Sequence, residues 1–255
     1  MKRKDGRKRK RILWIVIPVA VFALLLCASL IYLESYYHAD DAIAAFSADR
    51  TVEERTLAGG ETVFDPGDAT VGLIFYPGGK VDETAYVPLM RAISAKGVLC
   101  VLCRMPFRLA VFDTHAADGV REMFPEIEHW YISGHSLGGA VASIEVNAHP
   151  GVYEGMILLA SFSNDDLSGE PIRVLSVYGS EDGVMERETY EQAKAKLPGD
   201  MTERIIAGGC HAGFGMYGAQ RGDGTPAITN AEQIRITADI IADWIGEGGA
   251  YAEDS

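Results

Sequence analysis

The fold is decided by residues 129–143, which read HWYISGHSLGGAVAS. An apolar, strand-like run ending at Ser133 leads into GHSLG, which fits the pattern G-x-S-x-G around Ser136, and a helix-forming run follows. Strand, sharp turn and helix in this order expose a serine hydroxyl above the carboxyl end of a β-strand. Glycine is needed on both sides because so tight a turn leaves no room for side chains. Ser136 is therefore predicted to be a nucleophile on a strand-to-helix turn.

Short apolar runs alternate with helix-forming segments along the rest of the chain. The predicted strands are Val71–Tyr76, Val98–Cys103, Trp130–Ser133, Gly155–Ala160, Ile172–Tyr178 and Thr202–Ile206. The predicted helices are Glu34–Phe46, Glu83–Ala95, Ala110–Met123, Leu137–Ala148, Arg187–Lys196 and Ala231–Ile245, and Thr51–Phe64 is a predicted hairpin. Near-continuous Val/Ile/Leu strands between helices are typical of a parallel sheet covered on both faces. The predicted fold class is a doubly wound, mostly parallel α/β sheet.

A serine nucleophile needs a base, and the base needs an acid that orients it. Two histidines follow Ser136 in the chain, His149 and His211. His149 ends the helix after the serine, whereas His211 follows the last predicted strand in a glycine-rich loop, so His211 is the predicted base. The loop after the fifth predicted strand carries Glu181 and Asp182. Asp182 is the predicted acid, and Glu181 is the alternative.

Four motifs together resemble the α/β-hydrolase superfamily. They are YPGG at 76–79, GHSLGG at 134–139, GSEDG at 179–183 and GGCH at 208–211. The resemblance covers about residues 51–245 and is greatest to small single-domain esterases and dienelactone-hydrolase-like proteins. In this superfamily the nucleophile, acid and base follow one another in this order. The resemblance therefore implies that Ser136, Asp182 and His211 form a triad that cleaves carboxylic esters through an acyl-enzyme.

Acyl transfer also needs hydrogen-bond donors for the oxyanion that develops on the substrate. The backbone N–H of Leu137, directly after the nucleophile, is the first expected donor. The second normally comes from the loop after the third strand, where many relatives have His-Gly and this chain has Pro77-Gly78. Proline has no N–H, so Gly79 is the predicted donor. Lys80 is predicted to add positive potential at the site, with a solvated loop lysine as the alternative.

The predicted domain has no cap over its pocket. Only residues 161–171 separate the fourth and fifth predicted strands, too few for a helical cap, so we expect an open pocket that accepts compact acyl groups. The predicted substrate-binding wall is the loop 212–228, through Phe214, Met216 and Tyr217, since this loop follows the predicted base. The alternative is that this loop runs over the surface and leads to the last predicted helix.

The expected partner is a small-molecule ester, and neither an organic cofactor nor a metal is expected. Cys100 and Cys103 have the spacing C-x₂-C, but residues three apart on a strand point to opposite faces. Arg221-Gly222-Asp223 is interpreted as ordinary loop sequence. Acyl transfer to another alcohol and thioester cleavage are alternatives that would use the same triad, and a non-catalytic binding module on the hydrolase scaffold is a third.

The first 33 residues have the pattern of a membrane anchor. Eight of the 23 Lys and Arg residues lie in the first 11 positions, and Ile12–Leu33 carries no charge. A helix of this length spans about 33 Å, close to the hydrocarbon thickness of a bilayer. A cleaved signal peptide, whose apolar region is usually about 7–15 residues, and lipidation at Cys27 are the alternatives. An uncleaved single span that contacts the lipid bilayer is predicted.

Basic residues before a span keep the N-terminus in the cytoplasm, so the body is expected outside it. After Arg11 the chain has 15 basic and 35 acidic residues, a balance that repels nucleic acids. The predicted organisation is a basic cytoplasmic tail (1–11), a transmembrane helix (12–33), a juxtamembrane linker (34–50), a hydrolase domain (51–247) and a flexible tail (248–255).

This topology predicts the behaviour of a reporter that works only in the cytoplasm. Fused after Ser255, the reporter should be silent, because the positive charges before the span retain the N-terminus inside. The same reporter fused to residues 34–255 without the span should be active, which controls for its folding. Full activity of the fusion to the whole chain would overturn the predicted orientation.

Overall fold

The computed structural model describes residues 3–46, 48 and 52–249. The chain divides into two compact units, with the boundary after Tyr36. In the first unit, helix α1 runs from Arg3 to Glu34. Within the described residues one helical segment, Trp14–Glu34, is long and apolar enough to cross a membrane, a property that membrane spans share with signal sequences. The predictions for residues 1–2, 47, 49–51 and 250–255, including most of the predicted flexible tail, lie outside the described residues.

The second unit contains an eight-stranded sheet in the order β1-β2-β4-β3-β5-β6-β7-β8. The strands are β1 Glu53–Thr56, β2 Thr62–Asp65, β3 Val71–Tyr76, β4 Val98–Leu102, β5 His129–His135, β6 Gly155–Leu159, β7 Arg173–Gly179 and β8 Thr202–Ile206. The hairpin β1–β2 is antiparallel and β2 joins β4 antiparallel, while all later pairings are parallel. The predicted doubly wound, mostly parallel sheet is confirmed.

Helices cover both faces of the sheet because the strands are apolar on both sides. On one face the core includes Leu73, Leu89 and Ile241, and α2 (Val87–Ser94) and α5 (Asn230–Gly249) pack there. On the other face the core includes Ile74 and Val141, with α3 (Leu137–Ala148) packed on β5 and β6. The remaining helix, α4, spans Arg187–Lys194. No helix occurs within residues 160–172, between β6 and β7, so the domain has no helical cap there.

Two helix predictions are wrong. The segment 110–123 forms two short 3₁₀ turns joined by hydrogen-bonded turns, because Gly119 has a φ of +77°, which a helix interior does not accommodate. The segment 34–46 contains only a 3₁₀ turn, Asp41–Ala45, because the backbone of Tyr37 pairs with Lys80 and Asp82 instead of continuing a helix. Residues from Tyr37 onward therefore pack on the body, inside the segment predicted to be a linker.

The parallel strands end at one edge of the sheet, and their following loops carry the chemistry. Ser136 follows β5, Asp182 follows β7 and His211 follows β8, while Gly79 lies in the loop after β3. Ligands of open α/β sheets bind in the crevice outside these carboxyl ends. The topology therefore brings the predicted site residues to the same edge.

Candidate active site

Ser136 lies on a strained turn between β5 and α3. Its φ is +52° and its ψ is −122°, a conformation that costs a non-glycine residue about 1–3 kcal/mol. Two hydrogen bonds hold the turn on the end of β6: the N–H of Ser136 donates to Leu159 over 2.9 Å, and the Ser161 hydroxyl donates to the Ser136 carbonyl over 2.7 Å. The turn persists because the neighbouring strand end fixes both of its peptide groups.

Glycines surround Ser136 because three backbone segments meet there. A Cβ on Gly138 would lie 2.1 Å from the carbonyl oxygen of Tyr76, and one on Gly134 would lie 2.4 Å from the backbone of Gly138. A Cβ on Gly139 would lie 2.6 Å from the Ser161 hydroxyl oxygen. Real Cβ atoms do not approach so closely, so the sequence GHSLGG is a packing requirement of this turn as well as a motif.

His211 and Asp182 form a buried pair. The Nδ1 of His211 lies 2.9 Å from Oδ2 of Asp182, and both side chains are almost fully buried. Oδ1 of Asp182 accepts hydrogen bonds from the N–H groups of Val184 and Met185, at 2.9 and 2.8 Å. Since the carboxylate only accepts, Nδ1 of His211 carries the proton and Nε2 is left as an acceptor. In the part of the chain that is described, this buried Nε2 has no hydrogen-bond partner.

Glu181, the alternative acid, and His149, the other histidine after Ser136, do not take part in the pair of His211 and Asp182. The Glu181 side chain is exposed and accepts from the Ser180 hydroxyl, and it is Asp182 that bonds to His211. His149 contacts Glu145 at the far end of α3. Burial raises the pKa of the Cys210 thiol to about 11, so this neighbour of His211 stays protonated. Cys100 and Cys103 are buried free thiols.

The loop after β3 packs against the serine turn. A Cβ on Gly79 would lie 2.8 Å from Cδ2 of Leu137, so these two residues are in contact. The preceding N–H, that of Gly78, donates to the Tyr86 hydroxyl over 3.1 Å, and this hydroxyl lies 2.7 Å from Nδ1 of His135. Burial holds the pKa of His135 well below its ordinary value, so the imidazole is neutral and accepts from Tyr86. The N–H of Gly78 is thus used to hold the loop after β3 in place.

A cavity of about 330 Å³ opens beside Ser136 and His211. Its wall is mostly apolar and comes from the start of α3 and from the loops after β6 and β7. The other lining residues are Leu137, Ala140, Ala160, Ser161, Phe162, Asn164, Val184, Met185 and Glu186. This volume is at the small end of the range for ligand pockets. The cavity fits a compact group next to the serine.

The predicted wall from the loop 212–228 is not part of this cavity. Phe214 is fully buried with its ring 5.5 Å from that of His135, and the ring of Tyr217 packs on Tyr37. Met216 is half-buried and exchanges backbone hydrogen bonds with Ala85 and Asp40. The loop turns inward because its aromatic side chains fill the core beneath the site. Lys80 also lies outside the lining; its backbone binds Arg108 and Tyr37.

Asp223 is a site residue that sequence reasoning missed. Its carboxylate accepts from the N–H groups of His211, Ala212, Gly183 and Gly224, at 2.8 to 3.1 Å. Although burial alone would raise it, these four donors hold the pKa of Asp223 below its ordinary value. Asp223 therefore joins the loop of the acid to the loop of the base. The only signal in the sequence was an acidic residue in the loop after His211.

Comparison with known proteins gives the family. The model of the alpha/beta hydrolase family matches residues 72–235, more than half of the 255 residues. The chain belongs to the alpha/beta hydrolase family. The resemblance inferred from the four motifs is thus confirmed, and the fold supports hydrolase activity. No curated protein sequence matches the chain.

Solved structures with low sequence identity share the fold. A carboxylesterase from Mesorhizobium loti is 21% identical with a TM-score of 0.53, covering 76% of this chain and 98% of its own. Dienelactone hydrolase from Anabaena variabilis is 13% identical with a TM-score of 0.53, covering 77% and 98%. A soluble variant of monoglyceride lipase from Saccharomyces cerevisiae is 9% identical with a TM-score of 0.59, covering 80% and 98%.

The contacts of Asp223 predict that Asp223→Asn slows hydrolysis of a p-nitrophenyl ester about 10- to 100-fold. The amide cannot accept all four hydrogen bonds, and losing one charge-assisted bond costs about 1.5–3 kcal/mol. Glu181→Gln is the matched control, since its exposed carboxylate does not contact His211, and it should stay within about twofold of wild type. Equal rates for Asp223→Asn and wild type would show that the hydrogen bonds of Asp223 do not position His211.

Proposed function

We propose that this alpha/beta hydrolase is a membrane-anchored serine hydrolase that cleaves carboxylic esters. One observation carries the proposal: His211, whose Nδ1 lies 2.9 Å from Asp182, lines the same cavity as the strained Ser136. A buried imidazole held by a carboxylate on one nitrogen, with its other nitrogen free to accept a proton, is the base that a serine nucleophile requires.

The reaction follows from these positions. Oγ of Ser136 attacks the acyl carbon while Nε2 of His211 takes its proton, and Asp182 stabilises the resulting imidazolium. The N–H groups of Leu137 and Gly79 hold the oxyanion of the tetrahedral intermediate. The imidazolium then protonates the leaving alcohol, and an acyl-enzyme remains on Ser136. Water, deprotonated by His211, releases the acid and restores the serine.

The anchor and its orientation are part of the proposal. The uncharged stretch of α1 is long enough to span a bilayer, and the Lys and Arg residues before it favour a cytoplasmic N-terminus. The catalytic unit then lies on the extracytoplasmic side.

A fluorophosphonate probe, which reacts with activated serines, tests the proposed nucleophile. The full chain in detergent should be labelled at Ser136, and Ser136→Ala should abolish labelling. Ser168→Ala is the matched control, because Ser168 lies in the same loop between β6 and β7 but outside the cavity lining, and its hydroxyl donates to Asp166; it should be labelled as wild type is. Labelling that survives in Ser136→Ala, or no labelling of folded wild type, would contradict the proposal and favour a non-catalytic module.

The size of the cavity predicts a preference for short acyl chains. Rates with p-nitrophenyl esters should be highest for acetate to butyrate and should fall for chains of about ten carbons or more, because about 330 Å³ cannot enclose them. Without a helical cap between β6 and β7 there is no lid to open, so rates should saturate smoothly below the solubility limit of the substrate. A jump in rate above that limit, with long chains preferred, would contradict this.

A further inference from the structure

A buried carboxylate lies far from the catalytic serine, on the last turn of α3. The side chain of Glu145 is completely buried, yet three polar groups converge on it. The Tyr153 hydroxyl donates to Oε1 over 2.9 Å, Nδ1 of His115 lies 2.7 Å from Oε2, and Nδ1 of His149 lies 3.1 Å from Oε1. A carboxylate is removed from water at high cost unless positive charge accompanies it. The surroundings of Glu145 therefore favour positive charge beside it, on a protonated histidine or on a bound metal ion.

The two histidines form the solvent side of this cluster. The side chains of His115 and His149 are 44% and 32% exposed, and their rings lie edge to face with centroids 5.6 Å apart. One ligand atom from each histidine and one from Glu145 all lie within 4.8 Å of one another. A small ion has access from solvent and meets three donors at once.

We propose that His115, Glu145 and His149 form a binding site for a divalent transition metal of the Zn²⁺ class. Imidazole nitrogen and carboxylate oxygen are donors that Zn²⁺ takes, at about 2.0–2.2 Å. Separations of 2.7 and 3.1 Å between the nitrogens and the carboxylate oxygens are close to the roughly 3.3 Å that tetrahedral ligands at such lengths require. A bound ion would replace the direct contacts of the two imidazoles with the carboxylate, and the rings of His115 and His149 would turn toward it.

The outer groups of the cluster match those of metal sites. Ligating histidines usually have their other ring nitrogen near a carboxylate, and ligating carboxylates are themselves hydrogen-bonded. Here Oδ1 of Asp118 lies 3.7 Å from Nε2 of His149, and Tyr153 donates to Glu145. The turn that carries His115 is fixed as well, since the hydroxyl of Tyr76 donates to the carbonyl of Thr114. The ligands are thus oriented before any ion binds.

The role of this site is structural. Glu145 is nine residues after Ser136, or roughly 13 Å along the helix, which places the site away from the reacting atoms. His115 belongs to the turns that replace the predicted helix 110–123, whereas Glu145 and His149 belong to α3 and its end. A metal ion would join the two, and binding to the folded state alone would raise the unfolding temperature.

Zinc binding to the untagged full chain in detergent, stripped with a chelator, tests the site. Wild type should compete with a chromogenic chelator for one Zn²⁺ per chain, and Zn²⁺ should raise its unfolding temperature. His115→Ala and His149→Ala should each bind Zn²⁺ at least tenfold more weakly and lose the temperature shift. His129→Ala is the matched control, because His129 also contacts a glutamate, Glu154, but lies outside the three-residue cluster. It should bind as wild type does.

Absence of Zn²⁺ binding by wild type would overturn the proposal, and so would equal affinity in wild type and His115→Ala. His149 caps α3, so its variant can lose stability; His115 lies on an exposed turn, and its variant decides the question alone if His149→Ala does not fold. Fluorophosphonate labelling reports folding of the active-site edge in each variant. Because zinc is measured directly, the result is independent of whether esters are substrates.

Discussion

The structure depends on the contact of three backbone segments beneath Ser136. The end of β3, the serine turn and the loop after β6 approach so closely that Gly134, Gly138 and Gly139 have no space for a Cβ. This contact keeps a non-glycine residue at a φ of +52° and puts the loop of Gly79 against Leu137. The serine turn and the loop after β3 are therefore packed against each other at the proposed site.

The regular part of the fold was predictable because its signals are local. The bounds of β3, β8 and α3 agree with prediction residue for residue. The order serine, acid, base could be obtained from the loops that follow particular strands. Each of these inferences used residues close together in the chain.

The irregular segments could not be predicted in the same way. The turns at 110–123 depend on contacts of Thr114 and Ala117 with the Tyr76 hydroxyl, 38 and 41 residues away in the chain. The loop 212–228 turns inward because Phe214 and Tyr217 pack on the distant residues His135 and Tyr37. In the sequence, nothing distinguishes Asp223 from an exposed acidic residue of a loop. Its four backbone donors come from residues that only the fold brings around it. Long-range contacts of this kind leave no periodicity in a single sequence.

Val184 and Met185 contribute different atoms to different tasks. Their N–H groups hold the carboxylate of Asp182, whereas the residues themselves line the cavity. Every amino acid except proline supplies the same N–H. The shape of the pocket and the orientation of the acid are consequently encoded separately at the same two positions. Side chains there can diverge during evolution, or in a designed library, while the backbone bonds that orient the carboxylate of Asp182 are kept.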